Sequence, residues 1–117
     1  MWSIDTTHAS TAAFGRYRKK HPAEYAAVFG NLGRVLGFLA GGQRIGGFQV
    51  SFLRSEGGDV YRIGQTGVKS AHETRLYVHF SERESVAYVL EVGDKDSQPR
   101  DIKAARAKAD MLRTQGG

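Results

Sequence analysis

The sequence predicts an α+β domain, with two N-terminal helices packed on a twisted antiparallel sheet of about four to five strands and a C-terminal helix at the end. Three observations support this fold class. Apolar residues of the segment 22–39 recur at spacings of three and four, which indicates an amphipathic helix. Residues 73–80 alternate between apolar and polar, as a half-buried strand does. Short polar breaks separate the candidate strands of residues 45–92, which predicts a meander covered by helices on one face.

Length and composition restrict the class of protein. The chain has 117 residues, which predicts one domain over residues 1–117, with the closing Gly116 and Gly117 frayed. Seventeen Lys and Arg against 12 Asp and Glu give a net charge of +5, which fits a polyanionic partner, nucleic acid before membrane. The absence of cysteine excludes a disulfide scaffold and a zinc–thiolate site. No apolar run reaches the length of a membrane span and the N-terminus has no signal-peptide pattern, so we expect a cytoplasmic protein.

The N-terminal segment predicts a short strand and a first helix. Trp2–Thr6 alternates weakly, and Thr6 or Thr7 is a suitable N-cap for the helix that follows. That helix ends in a basic cluster, which either meets the negative end of the helix dipole or contacts a nucleic-acid backbone or an acidic partner; the cluster is Arg16, Arg18, Lys19 and Lys20.

The second helix is the clearest element of the sequence. His21-Pro22 separates it from the first helix, and Gly41-Gly42 ends it. A row of small residues follows one side, and three of its members are the glycines Gly30, Gly33 and Gly37. Glycine in a helix interior is unfavourable by about 1 kcal/mol relative to alanine. We therefore expect another backbone to approach this row closely, most simply the first helix; a protein partner in the groove is the alternative.

Four strands and a last helix complete the prediction. The strands are expected at Ile45–Arg54, Val60–Gly64, Glu73–Phe80 and Val86–Val92. The last strand is apolar on both faces and should be central. Pro99 is a good first residue for the final helix, whose apolar row is Ile102, Ala105, Ala109 and Leu112.

The strand Glu73–Phe80 carries the candidate site. Its polar face aligns Arg75, Tyr77 and His79, which we expect to be exposed and able to contact a phosphate. Lys95 follows the next strand. Each residue also has a structural interpretation: Arg75 can pair with a carboxylate across the sheet, Tyr77 can cover the sheet, and His79 can be a plain surface residue. Four scattered histidines show no metal-ligand spacing, so no metal or cofactor is expected.

The order of elements and two motifs resemble the RelE/ParE toxin superfamily of toxin–antitoxin systems, and the HigB type most closely. Arg75–Phe80, RLYVHF, resembles the family's strand pattern R-x-x-Y/F. Val89–Ala109, VLEVGDKDSQPRDIKAARAKA, resembles the HigB-type ending, in which a strand and a lysine-bearing turn lead to a helix. The spacing Phe14-x-x-Tyr17 followed by His21-Pro22 is also typical of the group.

The resemblance implies an mRNA endoribonuclease of a type II toxin–antitoxin system that acts on the ribosome. In such enzymes the 2′-hydroxyl attacks the adjacent phosphate while basic side chains stabilise the transition state. Arg75 and Lys95 match the family's basic catalytic positions. The best acid–base candidates in this sequence are His79 and His72, with Tyr77 to orient the substrate. Further RNA contacts are expected from Arg54, Arg62, Lys69 and His72.

The partners implied are a cognate antitoxin, mRNA and the ribosome, with operator DNA bound only through the antitoxin. The chain departs from the family pattern at two places. No tyrosine follows Tyr88, where RelE-type enzymes place a catalytic one, and Lys95 lies between Asp94 and Asp96. Two alternatives therefore stay open: a ParE-like DNA gyrase inhibitor, and a non-catalytic binding module of the same fold.

Overall fold

The computed structural model describes residues 1–69 and 72–115. The described residues form three helices and five strands, and the strands build one sheet. Along the chain the order is β1 (Ser3–Asp5), α1 (Thr11–Lys20), α2 (Pro22–Ala40), β2 (Leu53–Gly57), β3 (Val60–Gly64), β4 (Thr74–Ser81), β5 (Val86–Asp94) and α3 (Gln98–Thr114). The predicted α+β class is confirmed. Gly116 and Gly117, which we expected to be frayed, lie outside the described residues.

The sheet is mixed, so the prediction of a wholly antiparallel sheet is wrong. The strand order is β1-β5-β4-β3-β2. β1 runs parallel to β5, with Ser3 opposite Val86, and the other pairs are antiparallel. β5 lies between β1 and β4, which confirms the central position predicted from its two apolar faces.

Helices cover both faces of the sheet, so the expectation of one helical layer is also wrong. α1 and α2 lie on the face of Leu76, Val78 and Phe80. α3 lies on the opposite face, where its predicted apolar row packs against Val60, Tyr77 and Leu90. The physical reason is that the second face is itself apolar near its centre, and burial of this area stabilises the fold.

The α2 helix begins at Pro22 and ends at Ala40, as the sequence predicts. The inner face of this helix carries three fully buried side chains, Val28, Leu32 and Val35. Asn31 is buried as well, and its amide donates to the carbonyl of Gly64 at 2.8 Å, which ties the helix to the end of β3. No helix among the described residues is long and apolar enough to cross a membrane.

The glycine row of α2 does not contact a second backbone, so that expectation is wrong. A Cβ placed on Gly30, Gly33 or Gly37 would meet no atom within 4 Å. These three residues are exposed. The row therefore faces open space, and helix packing gives no reason for glycine there.

The segment 45–52 is not a strand, which corrects the predicted strand Ile45–Arg54. β2 begins only at Leu53. The aromatic residues ahead of it pack individually instead: Phe48 lies 4.9 Å from the Phe38 ring at the end of α2, and Phe52 is buried in the core. Gly57 and Gly58, with φ of 78° and 62°, form the tight turn into β3 that the sequence predicts.

Candidate phosphate-binding site

Three of the predicted basic residues come together on the α3 face, at the end of the sheet near Thr74. Arg54 on β2 is in register with Arg62 on β3, and Arg75 on β4 is in register with Gly64 on β3. All three arginines line a cleft of about 340 Å³, together with Glu73 and Gln65. We call this cleft the arginine cleft.

Two of these guanidinium groups share one acceptor. Nη1 of Arg62 lies 3.4 Å from Oε1 of Gln98, in the first turn of α3. Nη1 of Arg75 donates to the same oxygen. Two cations are thus held beside one neutral oxygen, although like charges repel at this range. An anionic oxygen would be the stronger acceptor for such a pair.

Carboxylates flank the same arginines on their outer sides. Nε of Arg62 lies 3.5 Å from Oε2 of Glu56, and Nη2 of Arg75 lies 3.4 Å from Oε2 of Glu73. The Glu73 side chain is exposed, whereas Arg62 and Arg75 are mostly buried. Arg54 has no carboxylate partner within the described ranges. The cleft therefore keeps a positive balance despite the two acids.

Tyr77 is fully buried, so the predicted exposed aromatic face is wrong at this residue. Its hydroxyl has no hydrogen-bond partner within residues 1–69 and 72–115. Burial raises the pKa of the Tyr77 phenol well above its ordinary range, and the Asp101 carboxylate raises it further, whereas Arg75 opposes the increase. The phenol therefore stays protonated next to the arginines, which suits a hydrogen-bond donor.

His79 is buried too, and the structure does not bring it to Arg75. Its Nδ1 lies 2.9 Å from the carbonyl oxygen of Asp59, and its ring stacks on Tyr88. Because His79 is four residues from Arg75 along β4, the two Cα atoms are about 13 Å apart. The expected alignment on one face is present, but α3 covers the face between the two residues.

Lys95 and Lys69 are exposed, and neither lines the arginine cleft. The carbonyl oxygen of Lys95 accepts the N–H of Gln98 at 3.4 Å, so Lys95 lies one helical turn ahead of the shared acceptor. Lys69 is the last residue before the undescribed pair 70–71. The roles predicted for both lysines stay predictions.

His72 belongs to a second polar cluster, on the α1 face at the same end of the sheet. Its Nε2 lies 2.9 Å from the Tyr17 hydroxyl and 3.6 Å from Oδ2 of Asp94. Its ring stacks on His21 with a centroid separation of 3.6 Å. The RNA contact predicted for His72 would thus lie on the other side of the sheet from the arginine cleft.

Tyr17 is the centre of this second cluster, and sequence reasoning missed its role. Its hydroxyl lies 2.8 Å from Oγ1 of Thr74 and donates to the carbonyl oxygen of Gly93 at 3.2 Å. Burial raises the pKa of the Tyr17 phenol, although the hydrogen bond with Thr74 acts in the opposite direction. The only sign of this role in the sequence was the Phe14-x-x-Tyr17 spacing, which does not indicate the hydrogen-bond partners of the Tyr17 hydroxyl.

The turn between β5 and α3 joins the two clusters. The Ser97 hydroxyl donates to Oδ2 of Asp101 at 2.5 Å, and the N–H of Ser97 donates to Asp94 at 3.0 Å. Burial raises the pKa of Asp101 more than this hydrogen bond lowers it. Burial also acts to raise the pKa of Asp94. Hydrogen bonds from the N–H groups of Ser97 and Asp96, together with the electrostatic effect of His72, outweigh burial and lower this pKa overall. A Cβ on Gly93 would collide with Asp101 and Ser97, so this position requires glycine.

Comparison with known proteins adds no relative: no family model, curated protein or solved structure matches the chain. Among the residues that the structure describes, no group of three or more His, Asp or Glu could hold a metal ion.

Proposed function

We propose that the chain is an mRNA endoribonuclease, the toxin of a type II toxin–antitoxin pair, which holds the scissile phosphate in the arginine cleft. The observation that supports the proposal is the convergence of Arg62 and Arg75 on the single oxygen of Gln98. A phosphate oxygen that replaces this amide oxygen would accept from both guanidinium groups. Charge-assisted bonds of this kind are roughly twice as strong as neutral ones.

The chemistry requires little beyond charge and position. The 2′-oxygen attacks phosphorus, the bond from phosphorus to the 5′-oxygen breaks, and the leaving 5′-oxygen takes a proton from water. The Glu73 carboxylate lines the cleft beside Arg75 and is the base that removes the 2′-hydroxyl proton. Arg62 and Arg75 stabilise the extra negative charge of the pentacoordinate transition state. Arg54 and Lys95 contact neighbouring phosphates of the strand.

The decisive experiment is expression of the protein in a bacterial host, with mapping of mRNA ends by primer extension. Arg62→Ala and Arg75→Ala should each reduce cleavage about 100-fold, the usual effect of removing one transition-state donor. Arg83→Ala is the matched control, because Arg83 is an exposed arginine in the β4–β5 turn and its loss changes the net charge equally. Undiminished cleavage and growth arrest in both cleft variants would overturn the proposal.

The toxin role is tested separately by co-expression with the product of the adjacent reading frame. A cognate antitoxin should relieve growth arrest and co-purify with this chain. Damaged DNA together with intact mRNA would instead indicate inhibition of DNA gyrase.

A further inference from the structure

A second cleft lies at the end of the sheet, between the C-terminal half of α1 and the first turn of α3. Its volume is about 610 Å³. Its cationic lining is Arg16, Lys19, Lys20 and Arg100, and Asp94 is the carboxylate that lines it. We call it the α1–α3 cleft. It shares no lining residue with the arginine cleft.

The α1 cations face the cleft by helical geometry. Successive cleft-lining residues of α1 are separated by three, one and three positions, so they share one face of the helix. They are Ala13, Arg16, Tyr17 and Lys20. Within the described part of the chain, no carboxylate lies at ion-pair distance from Arg16, Lys19 or Lys20. Like charges at these spacings repel one another, which is unfavourable for the helix. The helix dipole offsets some of this cost at Lys19 and Lys20.

The dipole of its own helix does not offset the charge of Arg100. It lies in the first turn of α3, where the dipole presents its positive end and a cation is unfavourable. Its side chain is 83% exposed, and Nε lies 3.9 Å from Asp101. Two separate helices thus bring cations to one cleft. One of these cations, Arg100, occupies a helix position that disfavours positive charge.

The wall of the cleft is aromatic and apolar, which distinguishes it from a plain anion site. Tyr17 and Val92 line it, and three hydrogen-bond contacts fix the Tyr17 hydroxyl. The His21 ring also lines the cleft and is held by its stack on His72. Rigid aromatic groups beside cations suit a ligand that combines a flat ring with a phosphate.

From these observations we propose that the α1–α3 cleft binds a nucleotide. Arg16, Lys20 and Arg100 hold its phosphate, and its base packs against Tyr17 and His21. The nucleotide is either a free nucleoside monophosphate or one unit of a single-stranded RNA. The proposal stands on this cleft alone and holds whether or not the arginine cleft cleaves RNA.

The test measures binding of three probes at low ionic strength: adenosine monophosphate, inorganic phosphate, and a short single-stranded RNA with 2′-O-methyl groups that block cleavage. The cleft variant is Lys20→Ala with Arg100→Ala. The matched control is Arg18→Ala with Lys103→Ala, which removes the same charge from exposed positions of the same two helices outside the cleft. The cleft variant should bind about tenfold more weakly and the control less than about threefold, since removal of a phosphate contact costs more than a general loss of charge.

Each result decides the question. A tenfold loss for adenosine monophosphate identifies a free-nucleotide site, and a tenfold loss for the RNA alone identifies a strand-binding site. No binding of either probe, an equal loss in cleft variant and control, or inorganic phosphate binding as tightly as adenosine monophosphate would overturn the proposal. Arg83→Ala, which removes an exposed arginine outside both clefts, should leave binding of adenosine monophosphate unchanged.

Discussion

The two faces of β4 differ sharply in chemistry although their residues alternate along one strand. On the α2 face Leu76 and Val78 are fully buried within an apolar core. On the α3 face Arg75, Tyr77 and His79 lie under a helix together with Glu56 and Asp101. The first face supplies stability through burial. The second keeps polar groups out of water, which costs free energy and is typical of a functional site.

The cost is most visible at unpaired atoms. The Tyr77 hydroxyl is buried without a hydrogen-bond partner in the described residues, and the buried Oε2 of Glu56 makes no hydrogen bond there beyond its ion-pair contact with Arg62. On the α2 face the buried polar side chains Asn31 and Thr74 are both hydrogen-bonded. If the comparison is right, substitutions on the two faces should change stability by different amounts and even in different directions.

The largest effect is expected on the apolar face. Leu32→Ala should reduce the free energy of unfolding by about 3 kcal/mol, because it removes a fully buried side chain and leaves a cavity. Denaturant unfolding measures this value. Gly33→Ala on the same helix is the control, since its new Cβ meets no atom, and it should be neutral or slightly stabilising. A loss below 1 kcal/mol for Leu32→Ala, roughly a third of the expected cost, would remove the distinction between the faces.

A pH-dependent effect is expected at Asp101, which is 5% exposed. Its pKa is raised in the folded state, so the stability linked to its protonation is present below the ordinary value of 3.8 and is lost as the pH rises through the folded-state pKa. Asp101→Asn keeps an acceptor for Ser97 and removes the buried charge. The variant should therefore gain stability at pH 7 relative to the wild type, and the gain should vanish at low pH.

Thermal unfolding at a series of pH values tests this prediction. Asp96→Asn is the matched control, because Asp96 is an exposed aspartate in the turn ahead of the same helix and its replacement changes the net charge equally. A variant of Asp101 that is less stable than the wild type at pH 7 would show that the ionised carboxylate is favourable where it lies.

The smallest effects distinguish two tyrosines. Tyr17→Phe should cost about 1 kcal/mol, because its hydroxyl is bonded to Thr74 and to the carbonyl of Gly93. Tyr77→Phe should be neutral or stabilising by less than about 1 kcal/mol, because it removes a buried hydroxyl without a partner. Denaturant unfolding of both variants measures the difference. A larger loss at Tyr77 than at Tyr17 would contradict the contrast between the faces.

The sequence predicted the helices and strands better than it predicted which face of the sheet each helix covers. The existence of β4, the bounds of α2 and the central place of β5 follow from local patterns and are confirmed. Which face α3 covers depends on how the chain crosses after β5, and the pattern of α3 alone does not determine it. Val60, Tyr77 and Leu90 together were the available sign of a second buried face.

The predicted strand over residues 45–52 is wrong for a related reason. Phe48 and Phe52 fit the spacing of a strand, but aromatic side chains in an irregular segment can bury the same area without ladder hydrogen bonds. The grouping of Arg54, Arg62 and Arg75 follows from the strand register. The contacts of Tyr17 and the tight fit at Gly93 join residues distant in sequence, and no local pattern encodes them.

The parallel pairing of β1 with β5 has a consequence for biosynthesis. Ser3 is opposite Val86, so β1 has no partner strand until β5 has been translated. α1 and α2 can form in the meantime, because helices depend on local contacts. The nascent chain therefore carries its N-terminal strand unpaired while β2 to β4 are added. A bulky tag fused ahead of Ser3 would interfere with this pairing of β1 and β5.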